Sequence, residues 1–575
     1  MKRIGKYLKG YVKESILGPL FKLCEATLEL IVPLIVALIV DRGIMGDGGS
    51  GYILMMCGVL VLFGAVGLAF SVTAQYFCAK ASVGFIAKVR GALFDKIQTL
   101  SYSDIDRIGA STMITRMTAD ASKVQNGLNL ALRLLLRSPF VVFGAMIMAF
   151  IVDPTSAISF AAVIPVLSVV VFGIMLISMP LYKKAQSATD GILLKTRENL
   201  SGVRVIRAFR MEDEEREGFS LGSDALTGIQ KKVGMISALL NPLTYVIINL
   251  AVLWLMELGA IQVDNGALSA GEVLALYNYM SQILVELIKL ANLIISITRA
   301  LASASRIADV LDLESSEVSG EVREGADDEY SVRMRDVSLT YLGAGAPSVS
   351  GINLDVRHGE TVGIIGSTGS GKTSLINLIP GFYPATEGEV LIDGVPVGEY
   401  DASALRSSIG IVPQRAVLFR GSVRDNMKLG REDATDESII EALKVAQIYD
   451  TVMEKGGLDA EIEEGGQNLS GGQKQRLTIA RALVGSPKIL ILDDSASALD
   501  FATDAALRRA IREMQGKTTV FIVSQRTSSI MHADQILVLE DGEAVGHGTH
   551  STLIDSCEVY REIHESQFGG GAKVG

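Results

Sequence analysis

Gly366-Ser-Thr-Gly-Ser-Gly371-Lys372-Thr373 is the stretch that decides the fold of the C-terminal half. Its spacing, G-x-x-x-x-G-K-[ST], is that of a phosphate-binding P-loop. The apolar residues 361–365 before it predict a short buried strand, and residues 374–378 after it predict the start of a helix. Glycines let several backbone N–H groups face one anion, and the helix N-terminus adds its positive dipole end. We therefore expect the nucleotide to be bound by Gly366, Ser367, Thr368, Gly369, Ser370, Gly371, Lys372, Thr373 and Ser374.

A carboxylate completes this predicted site. The apolar run Lys488-Ile-Leu-Ile-Leu492 predicts a second strand, which ends at Asp493. A carboxylate at a strand end beside a P-loop holds Mg²⁺, together with the P-loop hydroxyl. The expected cofactors are therefore ATP and Mg²⁺, with Thr373 and Asp493 as metal ligands. From Tyr330 onward, strand-like and helix-like segments alternate, which is typical of an α/β domain.

The N-terminal half has a different composition, with apolar runs at about residues 16–40, 53–79, 140–152, 157–179, 233–258 and 273–297. All but the third reach the roughly 20 residues that a bilayer crossing needs. The third run reaches this length if it begins near Leu130, despite Arg133 and Arg137. The sequence thus predicts an all-α membrane domain of six helices, fused to an α/β P-loop NTPase.

Charge indicates how these helices are oriented. Five Lys and Arg residues precede the first run, so the positive-inside rule places the N-terminus in the cytoplasm. Segments 80–137 and 183–232 are long and basic, and we expect helices that continue into the cytosol. The first run lacks a small-residue cleavage site and is interpreted as an anchor. The prediction is a multi-pass protein of the cytoplasmic (inner) membrane with both termini in the cytoplasm.

Ionisable residues inside the crossings need an explanation because they are costly there. Glu25 and Glu29 share one face of the first helix, and Glu286 and Lys289 are spaced to pair on the sixth, beside Gln282. They form either an interhelical bond network or a polar stripe that lines a solute pathway. Lys22 and Glu257 lie near crossing ends and are expected to reach the lipid headgroups.

The predicted domains are a transmembrane domain at 1–311, an acidic linker at 312–329 and a nucleotide-binding domain at 330–575. The chain has 575 residues, a net charge of −11 and four scattered cysteines. The acidic balance does not suggest a nucleic-acid partner, and the cysteine spacing suggests neither a metal site nor a disulfide framework.

Leu469-Ser-Gly-Gly-Gln473 lies between the two nucleotide motifs and is the sequence mark of the ATP-binding-cassette (ABC) family. Nearly the whole chain resembles one subunit of a bacterial ABC exporter. Further matching stretches are Thr115-Arg-Met-Thr-Ala-Asp120 and Glu198-Asn-Leu-Ser-Gly-Val-Arg-Val-Ile-Arg-Ala-Phe209 in the two inner segments.

The resemblance implies roles for residues outside the P-loop. Tyr341 resembles the aromatic residue that stacks on adenine, although a strand-end aromatic packed on the core remains the alternative. Gln414 matches the glutamine that contacts Mg²⁺ and the membrane-domain interface. The D-loop matches Ser497-Ala-Leu-Asp500. The motif that contacts the γ-phosphate of an ATP held by the opposite subunit matches Ser470, Gly471, Gly472 and Gln473.

Two residues depart from the family pattern. The family usually has Glu directly after the Walker B aspartate, which is Asp493 here, and this chain has Asp494 in that place. The family usually has His at the switch position after the next strand, where this chain has Gln525. A carboxylate drawn back by roughly 1.5 Å misplaces the attacking water, and about 1 Å of misplacement costs on the order of a hundredfold in rate. Glutamine carries no positive charge, so it does not fully replace a protonated histidine. The alternative is that both are tolerated variants with a near-normal rate.

The resemblance therefore implies that this chain's own catalytic residues are impaired, while the motif that it presents to the opposite subunit is intact. The pattern resembles the degenerate-site subunit of a heterodimeric multidrug-type exporter, with a second ABC half-transporter as partner. The expected activity is ATP-driven export of a hydrophobic or amphipathic solute across the cytoplasmic membrane. A homodimeric exporter or lipid flippase is the main alternative, and an ATP-regulated channel or an importer subunit is disfavoured.

Overall fold

The computed structural model describes residues 3–315, 319–326, 328–495, 499–513 and 518–568. These residues form two compact units, each described by itself below. The first comprises Met1–Gln98 and Ser111–Leu313, and the second comprises Thr99–Ala110 and Glu314–Gly575. Residues 99–110 of the first inner segment, 80–137, thus belong to the second unit. The domain boundaries at 311 and 330 stay predictions.

Within the described residues, helices account for most of the chain from residue 5 to residue 311, with π-helical turns at Ile39–Ile44 and Arg116–Asp120 and a 3₁₀ turn at Gly5–Tyr11. They are α1 Val12–Leu38, α2 Gly49–Gln98, α3 Tyr102–Ile108, α4 Ala110–Thr115, α5 Ala121–Leu134, α6 Arg137–Val152, α7 Pro154–Ser201, α8 Val203–Ala208, α9 Glu212–Ala238, α10 Leu240–Asp264 and α11 Ala270–Leu311. Within the described residues, six helical spans are long and apolar enough to cross a membrane. The third is Ala110–Val152, so the weak third run does continue toward its N-terminal side.

Capping residues mark the N-termini of α7 and α11. Asp153 caps α7 by accepting from the backbone N–H groups of residues 155 and 156, and Pro154 occupies the first helical turn. Ser269 and Glu272 form a reciprocal capping box at the start of α11. Asp41 accepts from the Ser269 hydroxyl at 2.5 Å and from the Gly271 N–H at 2.7 Å, which joins the end of the first span to the start of the sixth.

The second unit, apart from α3, alternates strands with short helices. In chain order its elements are β1 Tyr330–Leu339, β2 Val349–Arg357, β3 Thr361–Gly366, α12 Lys372–Ile376, β4 Glu387–Ile392, β5 Val395–Pro396, α13 Ala402–Ser407, β6 Ile409–Val412, β7 Gly421–Ser422, α14 Val423–Met427, α15 Asp436–Val445, α16 Tyr449–Glu454, β8 Glu461–Ile462, α17 Gly471–Leu483, β9 Ile489–Asp493, α18 Phe501–Arg512, β10 Thr519–Val523, α19 Thr527–Ile530, β11 Gln535–Glu540, β12 Glu543–Gly548, α20 His550–Ser556 and α21 Glu558–Phe568.

The main sheet has the order β12-β11-β3-β10-β9-β6. Its strands β11, β3, β10, β9 and β6 are parallel, and β12 is antiparallel at the edge. Strands β3 and β9 are buried at every position, as expected for parallel strands covered on both faces. A second, antiparallel sheet has the order β2-β1-β4-β5. Because β3, β10, β9 and β6 are neighbours, the loops that follow them meet at one edge.

Candidate functional site: a nucleotide pocket at the sheet edge

Four consecutive strands of the main sheet each deliver one predicted site residue to the same edge. Lys372 follows β3, Asp493 ends β9, Gln525 follows β10 and Gln414 follows β6. These residues, together with Asp494, line one pocket of about 210 Å³. The P-loop residues Thr368, Gly369, Gly371, Thr373 and Ser374 line it as well. Residues up to 157 positions apart in the chain are thus brought together by the strand order.

The P-loop backbone has the conformation that its glycines predict. Gly369 and Gly371 have φ of +87° and +90°, in the left-handed region that favours glycine. A Cβ on Gly371 would lie 2.3 Å from the Ser348 carbonyl oxygen, so no larger residue fits there. The same holds at Gly366, where a Cβ would lie 2.1 Å from the Leu539 carbonyl oxygen. The loop is therefore packed closely against Ser348 and Leu539, and both positions require glycine.

Lys372 is held at the base of this loop. Its Nζ donates to the carbonyl oxygens of Gly366 and Ser367 at 2.9 and 2.5 Å, and to the Ser370 hydroxyl at 3.3 Å. Burial lowers the pKa of the Lys372 ammonium. A charge kept in a partly desolvated site interacts more strongly with phosphate oxygens than an exposed lysine would. This ammonium is a suitable partner for the β- and γ-phosphates.

The donor set for a metal lies directly beside it. The Thr373 hydroxyl donates to the two Asp493 carboxylate oxygens at 3.0 and 3.2 Å. Asp493 is 5% exposed, and burial raises the pKa of its carboxyl group. Hydroxyl and carboxylate oxygens are the hard ligands that Mg²⁺ prefers, and Mg²⁺ sites commonly add substrate phosphates to one or two carboxylates. The residues fit Mg²⁺, which when bound would neutralise phosphate charge between Thr373 and Asp493.

Asp494 has a strained backbone conformation, and its side chain is hydrogen-bonded. Its φ is +45°, a left-handed conformation that costs of order 1 kcal/mol or more in a non-glycine residue. Its N–H donates to the Val523 carbonyl oxygen at 3.0 Å, which aligns it with the end of β10. The Gln414 side chain hydrogen-bonds to the Asp494 carboxylate, and burial raises the pKa of that carboxyl group. The sequence placed Gln414 at a metal and an interface, but the contact with Asp494 was not anticipated.

Tyr341 lies at the rim of the P-loop. Its hydroxyl donates to the Ser374 hydroxyl at 3.0 Å, and its ring meets that of Tyr383 edge-on at 5.0 Å between centroids. Tyr341 is half-buried and packs against the core cluster of the second unit. The structure therefore places the ring next to the P-loop, and both the adenine-stacking role and the packing alternative are compatible with that position.

Tyr383 connects this rim to α3, the piece of the first inner segment within the second unit. The Tyr383 hydroxyl donates to the Asp106 carboxylate at 2.5 Å, and burial raises its pKa. Tyr102 stacks on Phe382 at 4.3 Å between centroids. No sequence pattern marks Tyr383, because its partner Asp106 lies 277 positions away in the chain.

The Leu469-Ser-Gly-Gly-Gln473 motif lies elsewhere and starts a helix. The Ser470 side chain accepts from the Gln473 N–H at 3.3 Å, and the Gln473 side chain accepts from the Ser470 N–H at 3.0 Å. This capping box fixes the N-terminus of the 13-residue α17, with Gly471 and Gly472 in its first turn. Among the described residues that line the Lys372 pocket, none comes from this motif.

The D-loop prediction is only partly placed. Asp500 caps α18 by accepting from the Thr503 N–H at 2.9 Å, and these hydrogen bonds lower the pKa of its carboxyl group. Ser497 and Ala498 lie outside the described residues.

Comparisons with known proteins agree with this architecture. Residues 15–287 match the model of the ABC transporter transmembrane region, and residues 349–497 match that of the ABC transporter. The uncharacterized ABC transporter ATP-binding protein YfiB of Bacillus subtilis is 34% identical over 99% of both chains. The chain belongs to the ABC transporter family. It is a half-transporter of the bacterial exporter type, and it binds ATP for ATPase-coupled transport across a membrane.

Two further relatives bear on fold and function. An ATP-dependent lipid A-core flippase of Mannheimia succiniciproducens is 30% identical over 92% of this chain and 91% of its own. A solved structure of a bacterial Atm1-family ABC exporter with ATP bound superposes with a TM-score of 0.79, covering 99% of both chains at 23% identity. This likeness shows that the half-transporter shares the fold of six apolar helices and an ABC nucleotide-binding domain. ABC exporters act as dimers within the bilayer.

The membrane unit of this ABC half-transporter contains a buried ionic cluster. Arg137 of α6 donates to Glu286 of α11 at 2.7 Å and to Glu29 of α1 at 2.5 Å. Glu286 is 3% exposed and also accepts from Ser138 and Lys289 at 2.7 and 2.8 Å. The expected pairing of Glu286 with Lys289 is present, but the central cation, Arg137, was not foreseen.

The cluster borders a cavity of about 410 Å³, which α1, α6 and α11 line through Glu29, Pro33, Val141, Gln282 and Lys289, among others. The interhelical bond network expected for the polar faces of the first and sixth spans is therefore present. These faces also line a cavity, and its use as a solute pathway stays a prediction. The expectation for Lys22 was wrong. It is 7% exposed and donates to Glu25 at 2.5 Å and Ser71 at 3.0 Å, because polar neighbours on α1 and α2 satisfy it inside the unit.

Proposed function

We propose that this half-transporter contributes a degenerate ATP site to a heterodimeric exporter of hydrophobic or amphipathic solutes. The observation that carries the proposal is the chemistry of the pocket edge, where Asp494 and Gln525 stand beside a well-formed P-loop. Lys372, Thr373 and Asp493 provide the groups for gripping MgATP. Asp494 is shorter than glutamate and already hydrogen-bonded to Gln414, and Gln525 carries no charge. The site binds ATP and keeps it.

The partner half-transporter carries the fast site in this proposal. Its nucleotide is capped by this chain's Ser470, Gly471, Gly472 and Gln473, presented at the N-terminus of α17 with its positive dipole end. Asp500, in the D-loop, is likewise proposed to act at the contact between the two subunits. ATP closes the two nucleotide-binding domains and drives the bundle from inward- to outward-facing, and hydrolysis at the partner's site reopens it. ATP therefore does work because the two states bind it differently.

The second inner segment is proposed to dock on the partner. Residues 208–212 join α8 to α9, and two apolar side chains there, Phe209 and Met211, are 74% and 39% exposed within this chain. Exposed apolar residues at a helix junction are suited to an interface. The half-transporter lies in the cytoplasmic membrane with both termini and this junction in the cytoplasm, in keeping with the basic inner segments.

The solute passes along the cavity of α1, α6 and α11. The two carboxylates of the ionic cluster, Glu29 and Glu286, are matched by the two cations Arg137 and Lys289, so the wall has no net charge from these groups. Apolar residues such as Val36 and Val285 complete it. Such a wall suits an amphipathic molecule.

Paired variants test the assignment in the complex with the partner half-transporter. Asp494→Ala should leave most of the ATPase activity, because the fast site belongs to the partner. Ser470→Arg should abolish it, because the added side chain blocks the contact with the partner's γ-phosphate. The opposite pattern would refute the degenerate-site assignment.

A homodimeric lipid flippase is the second candidate, favoured by the similarity to a lipid A-core flippase over 92% of the chain. Reconstitution of this chain alone with fluorescent lipids distinguishes the two. Lipid translocation with brisk ATP turnover and no second subunit would favour the flippase.

A further inference from the structure

One side chain connects the C-terminal helix to the segment that carries Gln525. The Nε2 of Gln567, in the last turn of α21, donates to the Gln525 carbonyl oxygen at 2.7 Å. Its Oε1 accepts from the Thr527 N–H at 2.9 Å and from the Thr527 hydroxyl at 3.1 Å. These contacts lie on both sides of Arg526. A single carboxamide therefore fixes the backbone of the loop between β10 and α19.

A second residue of the same helix supports this contact. The Nδ1 of His564 lies 3.2 Å from the Thr527 hydroxyl oxygen. The Thr527 hydroxyl has one hydrogen, which it donates to Gln567, so His564 must be the donor to Thr527. His564 and Gln567 are three residues apart and share a face of the helix. Thr527 is fully buried, which makes the contact point well defined.

The helix that carries Gln567 is itself anchored to the sheet. Tyr560 is fully buried in a cluster with Ile365 of β3 and Val538 of β11, and Ile563 packs against the same cluster. Strand β3 leads directly into the P-loop. The helix is therefore packed against the strand that leads into the P-loop and is also hydrogen-bonded to the Gln525 segment.

Gln525 needs such support because its own side chain is exposed where it lines the nucleotide pocket. A neutral carboxamide gains little from long-range attraction to phosphate and depends on direction for its hydrogen bond. A hydrogen bond from the Arg526 N–H to Ser524 at 2.9 Å also shapes this loop from within. The contacts of Gln567 act from outside and fix its direction relative to the sheet.

We propose that Gln567 is a positioning residue that holds Gln525 toward the γ-phosphate of ATP in this chain's own site. The inference rests on the proposed function, in which this chain's own site retains ATP, and it adds a hydrogen bond from the neutral Gln525 side chain to the γ-phosphate. It assigns to the C-terminal helix a part in distinguishing ATP from ADP.

The test is equilibrium binding of MgAMP-PNP and MgADP to the full-length chain in lipid nanodiscs. Gln525→Ala should weaken AMP-PNP binding about fivefold, the value of one neutral hydrogen bond, and leave ADP binding unchanged. Gln567→Ala should weaken AMP-PNP binding about threefold, again with ADP unchanged. Gln567→Glu should also weaken AMP-PNP binding, because a carboxylate oxygen replaces the donor that faces the Gln525 carbonyl. Ser566→Ala, an exposed neighbour on the same helix, is the matched control and should behave as wild type.

The double variant decides how Gln567 acts. If it acts through Gln525, adding Gln567→Ala to Gln525→Ala should cause no further loss. Multiplying losses, equal weakening of AMP-PNP and ADP, or an unchanged Gln567→Ala would each overturn the inference while leaving the role of Gln525 intact. An unchanged Gln525→Ala would instead remove the proposed role of Gln525, and the inference with it.

Discussion

The P-loop pocket and the N-terminus of α17 are two halves of an ABC active site that this chain equips differently. In the pocket, Lys372 and Asp493 are buried and Thr373 is exposed, and each of the three is bonded to another of them or to the loop. Asp494 and Gln525, however, depart from the family pattern. At α17, Ser470 to Gln473 match the family motif and form a self-contained cap. In the heterodimer that we propose, the residues that bind the nucleotide are therefore separate from those that hydrolyse it. This chain would keep the binding residues and supply its partner with the Ser470–Gln473 motif that the partner's site needs.

The largest expected effect concerns the gripping half. Lys372→Ala should weaken ATP binding to this chain about a hundredfold, because hydrogen bonds from a charged donor to phosphate are the strongest in the pocket. Equilibrium titration of the full-length chain measures it. Lys455→Ala removes the same charge from an exposed position away from the P-loop and serves as the control. A loss below about threefold would mean that the pocket does not grip ATP through Lys372.

Restoring the two residues that the family usually has should speed ATP hydrolysis in this chain's pocket. Asp494→Glu combined with Gln525→His should raise ATP hydrolysis at this chain's site about thirtyfold, part of the roughly hundredfold that about 1 Å of misplacement costs. Phosphate release from the chain purified alone is the measurement. Asp494→Asn with Gln525→His is the control and should show no gain. An equally slow double variant would argue that the fault lies elsewhere in the pocket.

The metal side of the pocket should respond next. Thr373→Val removes the hydroxyl that bonds to Asp493 and should raise the Mg²⁺ concentration needed for ATP binding about tenfold. Thr373→Ser keeps the hydroxyl and should stay close to wild type. Binding titrations at fixed ATP and varied Mg²⁺ give the result, and identical Mg²⁺ dependence in the two variants would contradict the assignment.

The smallest effect is expected at the base of the nucleotide. Tyr341→Ala should weaken ATP and ADP binding equally, by about fivefold, since stacking on adenine does not involve the phosphates. Tyr341→Phe keeps the ring and loses only the bond to Ser374, so it should change binding less than twofold. If Tyr341→Ala leaves both affinities unchanged, the ring only packs on the core.

The sequence reached the P-loop, the strand ending at Asp493 and the six membrane spans because each depends on a local pattern. Glycine spacing, an apolar strand and long apolar runs are continuous in the sequence. They can therefore be recognised without knowledge of tertiary contacts. The third span shows the limit: Arg133 and Arg137 obscured it, and only the partners Glu29 and Glu286 on two other helices explain Arg137.

Contacts between distant residues were beyond that reach. Lys22 was expected at the headgroups because its position along the run was visible and its contact with Ser71 was not. Gln567 lies 42 residues from Gln525, and nothing in its helical neighbourhood marks it. Likewise, the bond between Gln414 and Asp494 follows from the adjacency of β6 and β9, which strand order alone provides.

The most direct measurement is ATP hydrolysis by the full-length chain purified without any second half-transporter. We expect turnover near background, no stimulation by amphipathic solutes, and tight binding of MgATP that Lys372→Ala removes. Brisk, solute-stimulated turnover by the chain alone, lost on Asp494→Ala, would contradict it.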